Sequence, residues 1–375
     1  MPQILQQFFS LLRAGLWESQ TPDASLFRGD VNWIAIYKLS QEQTVVAVVW
    51  DGIEKLPLEL RPDKALSFKW YGYIVRNEQT NRAINNKVAE IFELYKSAGL
   101  HPILLKGAGI ASLYRNPLRR GCGDIDIFVG DKDAWQLADK LAEANLGAIN
   151  LEKLDRLHKH DYHTTLKLPD GLTIENHTKF TSHFTSAIAH RFENQLASWY
   201  PDSPAYADVD DRKIEIAPLA FNAQYVFIHM YRHLFALGIG LRQVCDWAVL
   251  INKLDSETVE LVGYKRGWQV MAGFLVEYLG VDSAKIPHYK GVNSRKNRIV
   301  LDLILESGNF GHQLLNKRPK GYWSGKIYSF RRQITRWPRL ASISFNDTFN
   351  YVVFKKLKAI GTYIVELFTG YSSRK

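Results

Sequence analysis

Two aspartates lie inside one short apolar segment of this chain, Gly123-Asp-Ile-Asp-Ile-Phe-Val129. The alternation with branched and aromatic residues predicts a β-strand, on which Asp124 and Asp126 share one face about 6.5 Å apart. Two like charges at that spacing cost free energy unless a cation lies between them, and aspartate is a poor strand former. Mg²⁺ is commonly held by one or two carboxylates together with substrate phosphates. The segment therefore predicts a divalent metal site.

A glycine-containing turn precedes this strand in the chain. Pro102–Leu105 is a short apolar run that predicts a buried strand, and Lys106-Gly-Ala-Gly109 follows it before a helix predicted over Ile110–Tyr114. Glycines at a strand-to-helix turn allow phosphate to approach the backbone closely, and a helix N-terminus favours anions. Lys106 would then contact phosphate, although a solvated lysine at a strand end is an equally good interpretation.

These motifs together resemble the DNA-polymerase-β-like nucleotidyltransferase superfamily. More closely, Leu105-Lys-Gly, Tyr114, Arg120 and the Asp-x-Asp strand resemble a bacterial family of uncharacterised nucleotidyltransferases. The resemblance implies transfer of a nucleoside monophosphate from an NTP to a hydroxyl acceptor with release of pyrophosphate, assisted by Mg²⁺ or Mn²⁺. Ala108 departs from the superfamily pattern, in which serine is common, and the spacing from Gly107 to Asp124 is somewhat long.

The resemblance assigns roles to individual residues. Catalysis and metal binding fall to Asp124, Asp126 and Glu175, and nucleotide binding falls to Lys106, Gly107, Ala108, Arg120, Arg242 and His177. Glu175 follows a hairpin turn, Pro169-Asp-Gly171, on a predicted strand that places it on one face with His177. A solvated hairpin glutamate is the plain alternative. Histidines cluster between His158 and His190, but their spacings form no zinc ligand set.

A second group of polar residues lies in a helical region. His229 and His233 have metalloprotease spacing, but the glutamate of that motif is missing, which argues against a protease. Arg242 and Asp246 stand four residues apart and can pair along a helix. Nucleotide or acceptor contact is the other interpretation, and Arg120 likewise either binds triphosphate or braces its loop.

Composition argues against a disulfide-rich secreted protein and against a membrane-spanning one. The chain has 375 residues, 46% hydrophobic and 23% charged, which suits a globular protein of two or three domains. Two cysteines, Cys122 and Cys245, build no disulfide framework. The first residues lack the features of a signal peptide, and no apolar run approaches the roughly 20 residues that span a bilayer. We therefore expect a cytoplasmic location.

The C-terminal segment carries the excess of positive charge. From residue 317 onward there are 13 basic residues, two acidic residues and interleaved aromatic side chains, against a net charge of +10 for the whole chain. Such a segment can lie peripherally on an anionic membrane or follow RNA phosphates. The alternative is a solvated basic face whose aromatics pack onto a helical domain.

We expect an α+β fold in which a small mixed-sheet nucleotidyltransferase core over residues 84–200 is flanked by helices. An N-terminal helical segment would occupy 1–83, a helical domain 201–312, and a basic, aromatic-rich helical tail 313–375. Two alternatives to an active transferase remain, namely a catalytically inactive nucleotide-binding module and a basic scaffold on a membrane or RNA surface. The acceptor is more readily a small molecule or a protein than a nucleic acid, and the oligomeric state is open.

Overall fold

A seven-stranded mixed sheet lies at the centre of the protein. The computed structural model describes residues 1–154, 162–180, 186–254, 259–291, 293–319 and 321–353. The sheet order is β3-β4-β5-β2-β1-β7-β6. The strands are β1 Ile103–Leu104, β2 Ile125–Phe128, β3 Ile149–Asn150, β4 His163–Lys167, β5 Thr173–His177, β6 Ala205–Val209 and β7 Arg212–Ile216.

The Asp-x-Asp strand lies between β1 and β5. It pairs antiparallel with β1 and parallel with β5, so that Asp126 is the register partner of Glu175. The predicted hairpin is confirmed, because β4 and β5 pair antiparallel around the turn at 169–171. The hairpin thus delivers Glu175 to the strand beside the aspartates.

A second hairpin extends the sheet beyond residue 200. The β6–β7 turn is formed by Asp210 and Asp211, both with positive φ, and β7 returns to pair parallel with β1 through Leu104 and Ile216. Short aspartates tolerate this left-handed backbone better than branched residues do. The sheet therefore reaches into the segment proposed as the helical domain.

Two helices cover one face of the sheet. Helix α4, Lys64–Ser97, and α6, Lys132–Leu146, pack on the side that carries Ile125 and Ile127. Asp63 caps α4 and Asp131 caps α6, each accepting a backbone hydrogen bond from the first turn. Helix α4 is continuous across residue 83, so the proposed boundary between N-terminal segment and core falls inside one helix.

The opposite face carries the site. It packs against α9, Leu219–Ala236, and α10, Leu241–Asn252, in a second core that includes Leu105 and Phe128. The remaining helices are α1 Gln3–Leu16, α2 Trp33–Glu42, α3 Val46–Ile53, α5 Ala108–Ala111, α7 Leu151–Leu154, α8 Ser186–Ala197, α11 Lys265–Phe274, α12 Ser294–Ser307, α13 His312–Asn316 and α14 Tyr322–Ile343. No helix in the described ranges has the length and apolar character needed to cross a membrane.

Three arginines of the basic tail take part in packing. Arg332 and Arg336 donate to the carbonyl oxygens of Ala236 and Leu234 at the end of α9, and Arg339 binds Glu306 with both nitrogens at 2.6 Å. The buried Arg336 is therefore not part of a solvated basic face, whereas Trp337 and Tyr351 pack against the second core. Exposed aromatic side chains remain at Phe345 and Phe349. Residues 354–375 lie outside the described ranges, so the tail's membrane or RNA surface stays a prediction.

Candidate active site

The turn after β1 holds Lys106 and Gly107. Gly107 has φ +56° and ψ −120°, a backbone conformation that residues with a side chain rarely adopt. The helix predicted over Ile110–Tyr114 is wrong in its extent, because α5 is the single turn Ala108–Ala111. A chain that bends back after one turn leaves little helix dipole for an anion. Lys106 and the backbone at Gly107 are therefore the main groups that this turn offers to phosphate.

Three side chains from the two parallel strands converge beside this turn. Oxygen or nitrogen atoms of Asp126, Glu175 and His177 all lie within 4.8 Å of one another. His177 Nε2 is 3.1 Å from Asp126 Oδ1 and 3.4 Å from Glu175 Oε2. Register explains the convergence, since Asp126 lies opposite Glu175, and Glu175 and His177 share one face of β5.

Lys106 balances the charge of this cluster. Its Nζ atom is 2.8 Å from Asp126 Oδ1, and the aspartate side chain is only 2% exposed. Burial is the largest single effect and disfavours the lysine charge, but Asp126, Tyr225 and Asp124 together outweigh it and raise the Lys106 pKa above its usual value. Lys106 Nζ and His177 Nε2 thus approach the same carboxylate oxygen, Asp126 Oδ1.

His177 and Glu175 shift each other's protonation. Burial opposes the charged form of His177, but hydrogen bonds to Asp126 and Glu175 raise its pKa. Burial likewise opposes ionised Glu175, but His177 and then Lys106 lower the pKa of that carboxyl. The charged forms of Glu175 and His177 therefore stabilise each other, and a divalent cation bound between the acids would supply the same compensating positive charge.

Asp124 lies at the open edge of the same site. It is exposed and precedes β2, whereas Asp126 is buried within it. Both aspartates line a small cavity of about 50 Å³ together with Lys106, Gly107, Arg120, His229 and Arg242. The structure therefore brings Asp124 to the cavity but does not include it in the tight cluster of Asp126, Glu175 and His177.

Helix α9 covers the cluster with polar groups that the strands do not supply. The Tyr225 hydroxyl is buried without a hydrogen-bond partner in the described ranges, and burial raises its pKa, with Lys106 opposing. The rings of His229 and His233 lie 4.6 Å apart. Burial and the nearby Lys106 lower the pKa of both histidines, that of His233 to about 4. These imidazoles are therefore neutral at pH 7.

Arg120 braces the site against α10. Its Nε and Nη2 atoms bind the two carboxylate oxygens of Asp246 at 3.0 and 2.5 Å, and the Tyr114 hydroxyl donates to the same carboxylate at 2.7 Å. The helix pair of Arg242 and Asp246, one of the two interpretations of their spacing, does not form within 4.0 Å. Asp246 points instead to a buried, forked partner from another segment, which can bind it bidentately. Of the two roles open for Arg120, these contacts show the bracing one.

Arg242 has a different environment. Its Nη1 atom donates to the carbonyl oxygen of Gly121 at 3.0 Å, while its Nε atom is buried without a partner among the described residues. Burial and the nearby Arg120 charge lower its pKa. Arg242 lines the small cavity that Lys106 and the two aspartates also line.

Sequence reasoning did not identify Tyr225 and His163 as parts of this site. Tyr225 lies within an apolar helical run that gives no polar signal. His163 is the register partner of His177, its ring lies 5.0 Å from that of His177, and its Nε2 is 4.0 Å from Glu175 Oε2. The alternation of the hairpin could have indicated His163, because cross-strand partners share a face.

Comparison with known proteins gave one family. A family model described as uncharacterised nucleotidyltransferase matches residues 29–270, which extends from α2 through the sheet to α11. Searches of curated proteins and of solved structures gave no significant match. The match covers more than half of the chain and the whole of the cluster described above. The chain therefore belongs to this family of nucleotidyltransferase enzymes.

Proposed function

We propose that the protein transfers a nucleoside monophosphate from an NTP, with ATP as a candidate, to a hydroxyl acceptor and releases pyrophosphate in a metal-dependent reaction. We also infer that it belongs, with bacterial relatives, to the DNA-polymerase-β-like superfamily. The family match supports nucleotidyl transfer as the reaction type. The geometry of the strands supports the assignment of residues to it.

One observation carries the assignment. Asp126 and Glu175 are register partners on adjacent parallel strands, and the Lys106 ammonium lies 2.8 Å from Asp126. Paired carboxylates next to a lysine and a glycine turn combine a cation site with a phosphate contact. A solvated hairpin glutamate would not point into a buried cluster, so this arrangement favours the functional interpretation of Glu175.

The donor set fits a divalent cation. Asp126 and Glu175 offer carboxylate oxygens, Asp124 offers another at the cavity edge, and His177 offers a nitrogen within the same cluster. Carboxylates suit Mg²⁺ and Mn²⁺, and an imidazole adds affinity for Mn²⁺. When bound, such ions neutralise phosphate charge and lower the pKa of the attacking hydroxyl.

The chain's own groups position the substrate. Lys106 and the backbone at Gly107 and Ala108 would hold the triphosphate, and the guanidinium of Arg242, which lines the same cavity as Lys106, would add positive charge. Arg120 would act through its ion pair with Asp246, which fixes the loop before β2 against α10. Fixed donors of this kind stabilise charge that develops on phosphate oxygens.

The size of the cavity limits what lies inside it. About 50 Å³ accommodates ions and phosphate oxygens but not a whole nucleotide. The base and sugar would therefore lie over the exposed edge near Gly123 and Asp124. We infer a small hydroxylated molecule or a protein as acceptor, because three arginines of the basic tail, Arg332, Arg336 and Arg339, contact the protein itself.

Labelled NTPs incubated with a host lysate and Mg²⁺ or Mn²⁺ test this proposal. Wild type should transfer label to an acceptor and release pyrophosphate, and Asp126→Asn and Glu175→Gln should reduce transfer by about 10²–10³-fold or more. Asp170→Asn is the matched control, since Asp170 is an exposed residue at the turn of the same hairpin.

Folding of each variant is checked by circular dichroism. Equal labelling by wild type and folded Asp126→Asn would refute the transferase assignment. NTP binding without pyrophosphate release would instead favour the inactive nucleotide-binding module. Binding to RNA or membranes with the same affinity in wild type and Asp126→Asn would favour the scaffold.

A further inference from the structure

A second cleft lies among the helices, apart from the cavity at the strands. Its volume is about 700 Å³, and it is bounded by α8, the start of α11, the loop before α12 and the start of α12. Its lining shares no residue with the cavity around Lys106. Five cationic side chains line it against the single carboxylate of Glu260, namely Arg191, Lys265, Arg266, Lys290 and Lys296.

These cations form few contacts with other groups in the described part of the chain: Arg266 is close enough to Asp347 to favour the charged form of that carboxyl, and Lys296 Nζ donates to the carbonyl oxygen of Ile343 at 3.5 Å. None of the five forms an ion pair of 4.0 Å or less there, whereas the neighbouring Arg298 on α12 pairs with Asp302 at 2.9 Å. Like charges gathered in a concave surface repel each other and raise the local positive potential. Four of the five are exposed, so water and salt screen part of this repulsion, and a bound anion would reduce it further.

Two helices begin at this cleft with cations in the wrong place for their own stability. Lys265 and Arg266 are the first residues of α11, and Lys296 lies in the first turn of α12; neither first turn contains an acidic residue. The N-terminal end of a helix dipole is positive and favours anions, so basic residues there are unfavourable. This second cost is also reduced when an anion binds.

The walls of the cleft are held in place without a ligand. His288 Nε2 lies 2.5 Å from the carbonyl oxygen of Val259, and Trp268 Nε1 donates to Pro287 at 2.9 Å. The backbone nitrogen of Lys290 donates to Gln269 Oε1 at 2.9 Å. The loop before α12 is thus fixed to α11, which makes the cleft a formed site rather than a gap between mobile segments.

We propose that this cleft binds a small molecule that carries two or more phosphate groups. Its volume lies within the range of small-molecule sites, and Leu261 and Val270 provide an apolar surface beside the cations. No Phe, Tyr or Trp occurs among its described lining residues, so it offers no stacking surface of the kind that single-stranded nucleic acid uses. The proposal does not depend on the reaction at the strands.

Calorimetric titration with inorganic tripolyphosphate, in EDTA and at physiological salt, tests the proposal. Lys265→Glu/Lys290→Glu should weaken binding by at least about tenfold, because charged hydrogen bonds to phosphate are lost. Lys132→Glu/Lys140→Glu is the control, since it makes the same change of charge on exposed positions of α6. Lys106→Gln, which alters the proposed triphosphate contact at the strands, can remove a binding event there but should keep the one that Lys265→Glu/Lys290→Glu weakens.

Several results would overturn the proposal. Tripolyphosphate that does not bind, or that binds the cleft variant and the α6 control equally, excludes a specific site here. Binding lost in Lys106→Gln but kept in the cleft variant assigns it to the strands instead. A short single-stranded RNA that competes for the cleft and binds it more tightly than tripolyphosphate would replace the small-molecule proposal with a nucleic-acid one.

Discussion

The guanidinium group of Arg120 binds both carboxylate oxygens of Asp246, at 3.0 and 2.5 Å, across the interface between the loop before β2 and helix α10. Both side chains are buried, 7% and 6% exposed. Burial disfavours the arginine charge, but Asp246 raises the Arg120 pKa well above its usual value. The pair therefore stays ionised and joins the sheet to the helical layer over the site.

Replacing Asp246 by alanine tests this pair. The change leaves a buried guanidinium without a counter-charge and also removes the acceptor of the Tyr114 hydroxyl. We expect the free energy of unfolding to fall by about 3–5 kcal/mol. Urea denaturation followed by circular dichroism measures the change.

Asp302→Ala on α12 is the matched control. Asp302 pairs with Arg298 at 2.9 Å, but both side chains are 40% or more exposed. Removing a surface pair of this spacing should change stability by only about 0.5 kcal/mol. Similar small effects at Asp246 and Asp302 would show that the buried pair contributes no more than a surface one.

Local patterns were sufficient to predict the strands of the site. Alternation predicted β2, and the Pro169-Asp-Gly171 turn predicted the hairpin that carries Glu175. Both signals act over a few residues, which is why the sequence reveals them. The resemblance assigned Glu175 to the same metal site as Asp126, but the parallel register that sets the two residues opposite each other was not predicted.

Long-range competition explains what sequence reasoning missed. The i,i+4 rule favoured pairing of Asp246 with Arg242, but Arg120, distant in the chain, provides a better-matched fork. Likewise, β7 joins β1 across more than 100 residues, and its Asp210-Asp211 turn lacks the glycine of the strongest hairpin signals. The spacing of residues along the chain therefore predicts neither the pairing of Asp246 with Arg120 nor that of β7 with β1.

Gly107 and Gly72 should respond to the same substitution with opposite signs. Alanine at Gly107 must adopt φ +56°, although its Cβ would meet the Asp124 carbonyl oxygen at an ordinary 3.5 Å. We therefore expect a loss of more than about 1 kcal/mol of unfolding free energy from backbone strain alone. Gly72 lies in open space on the exposed surface of α4, so alanine there should stabilise by about 0.5–1 kcal/mol.

Thermal and urea unfolding of the two variants check this prediction. Equal stability of Gly107→Ala and wild type would mean that the turn relaxes to another conformation. Nucleotide affinity should also fall in Gly107→Ala and stay unchanged in Gly72→Ala, since only the former alters the phosphate turn.

His233 should make the fold less stable in acid. Burial, Lys106 and Arg232 lower its pKa to about 4, and the ring of His229 lies 4.6 Å away. Between pH 6.5 and about 4 the unfolded chain binds more protons than the folded one. The stability that neutral His233 gives the fold is therefore fully present above pH 6.5. It is lost as pH falls towards 4, and the free energy of unfolding decreases by at most about 1.4 kcal/mol per pH unit.

Urea unfolding of His233→Gln across this range measures the effect. Relative to wild type, the variant should gain stability steadily as pH falls from 6.5. His190→Gln, at an exposed position on α8, should follow wild type at every pH. Parallel pH profiles for His233→Gln and wild type would contradict the lowered pKa.

Mn²⁺ binding should depend on the cluster of Asp126, Glu175 and His177, whose donor atoms lie within 4.8 Å of one another. Paramagnetic resonance of free Mn²⁺ gives the affinity directly, without any need for an acceptor. Glu175→Gln should weaken binding by at least about 10–100-fold, because even residues outside a metal's direct ligands have effects of that size. Glu193→Gln is the control, because it removes the same charge as Glu175→Gln but on the exposed surface of α8. It should bind Mn²⁺ with the affinity of wild type. Equal Mn²⁺ affinities of the two variants would contradict a metal site at this cluster. The carboxylates would then be balanced by Lys106 and His177 alone, and the cluster would have a structural role.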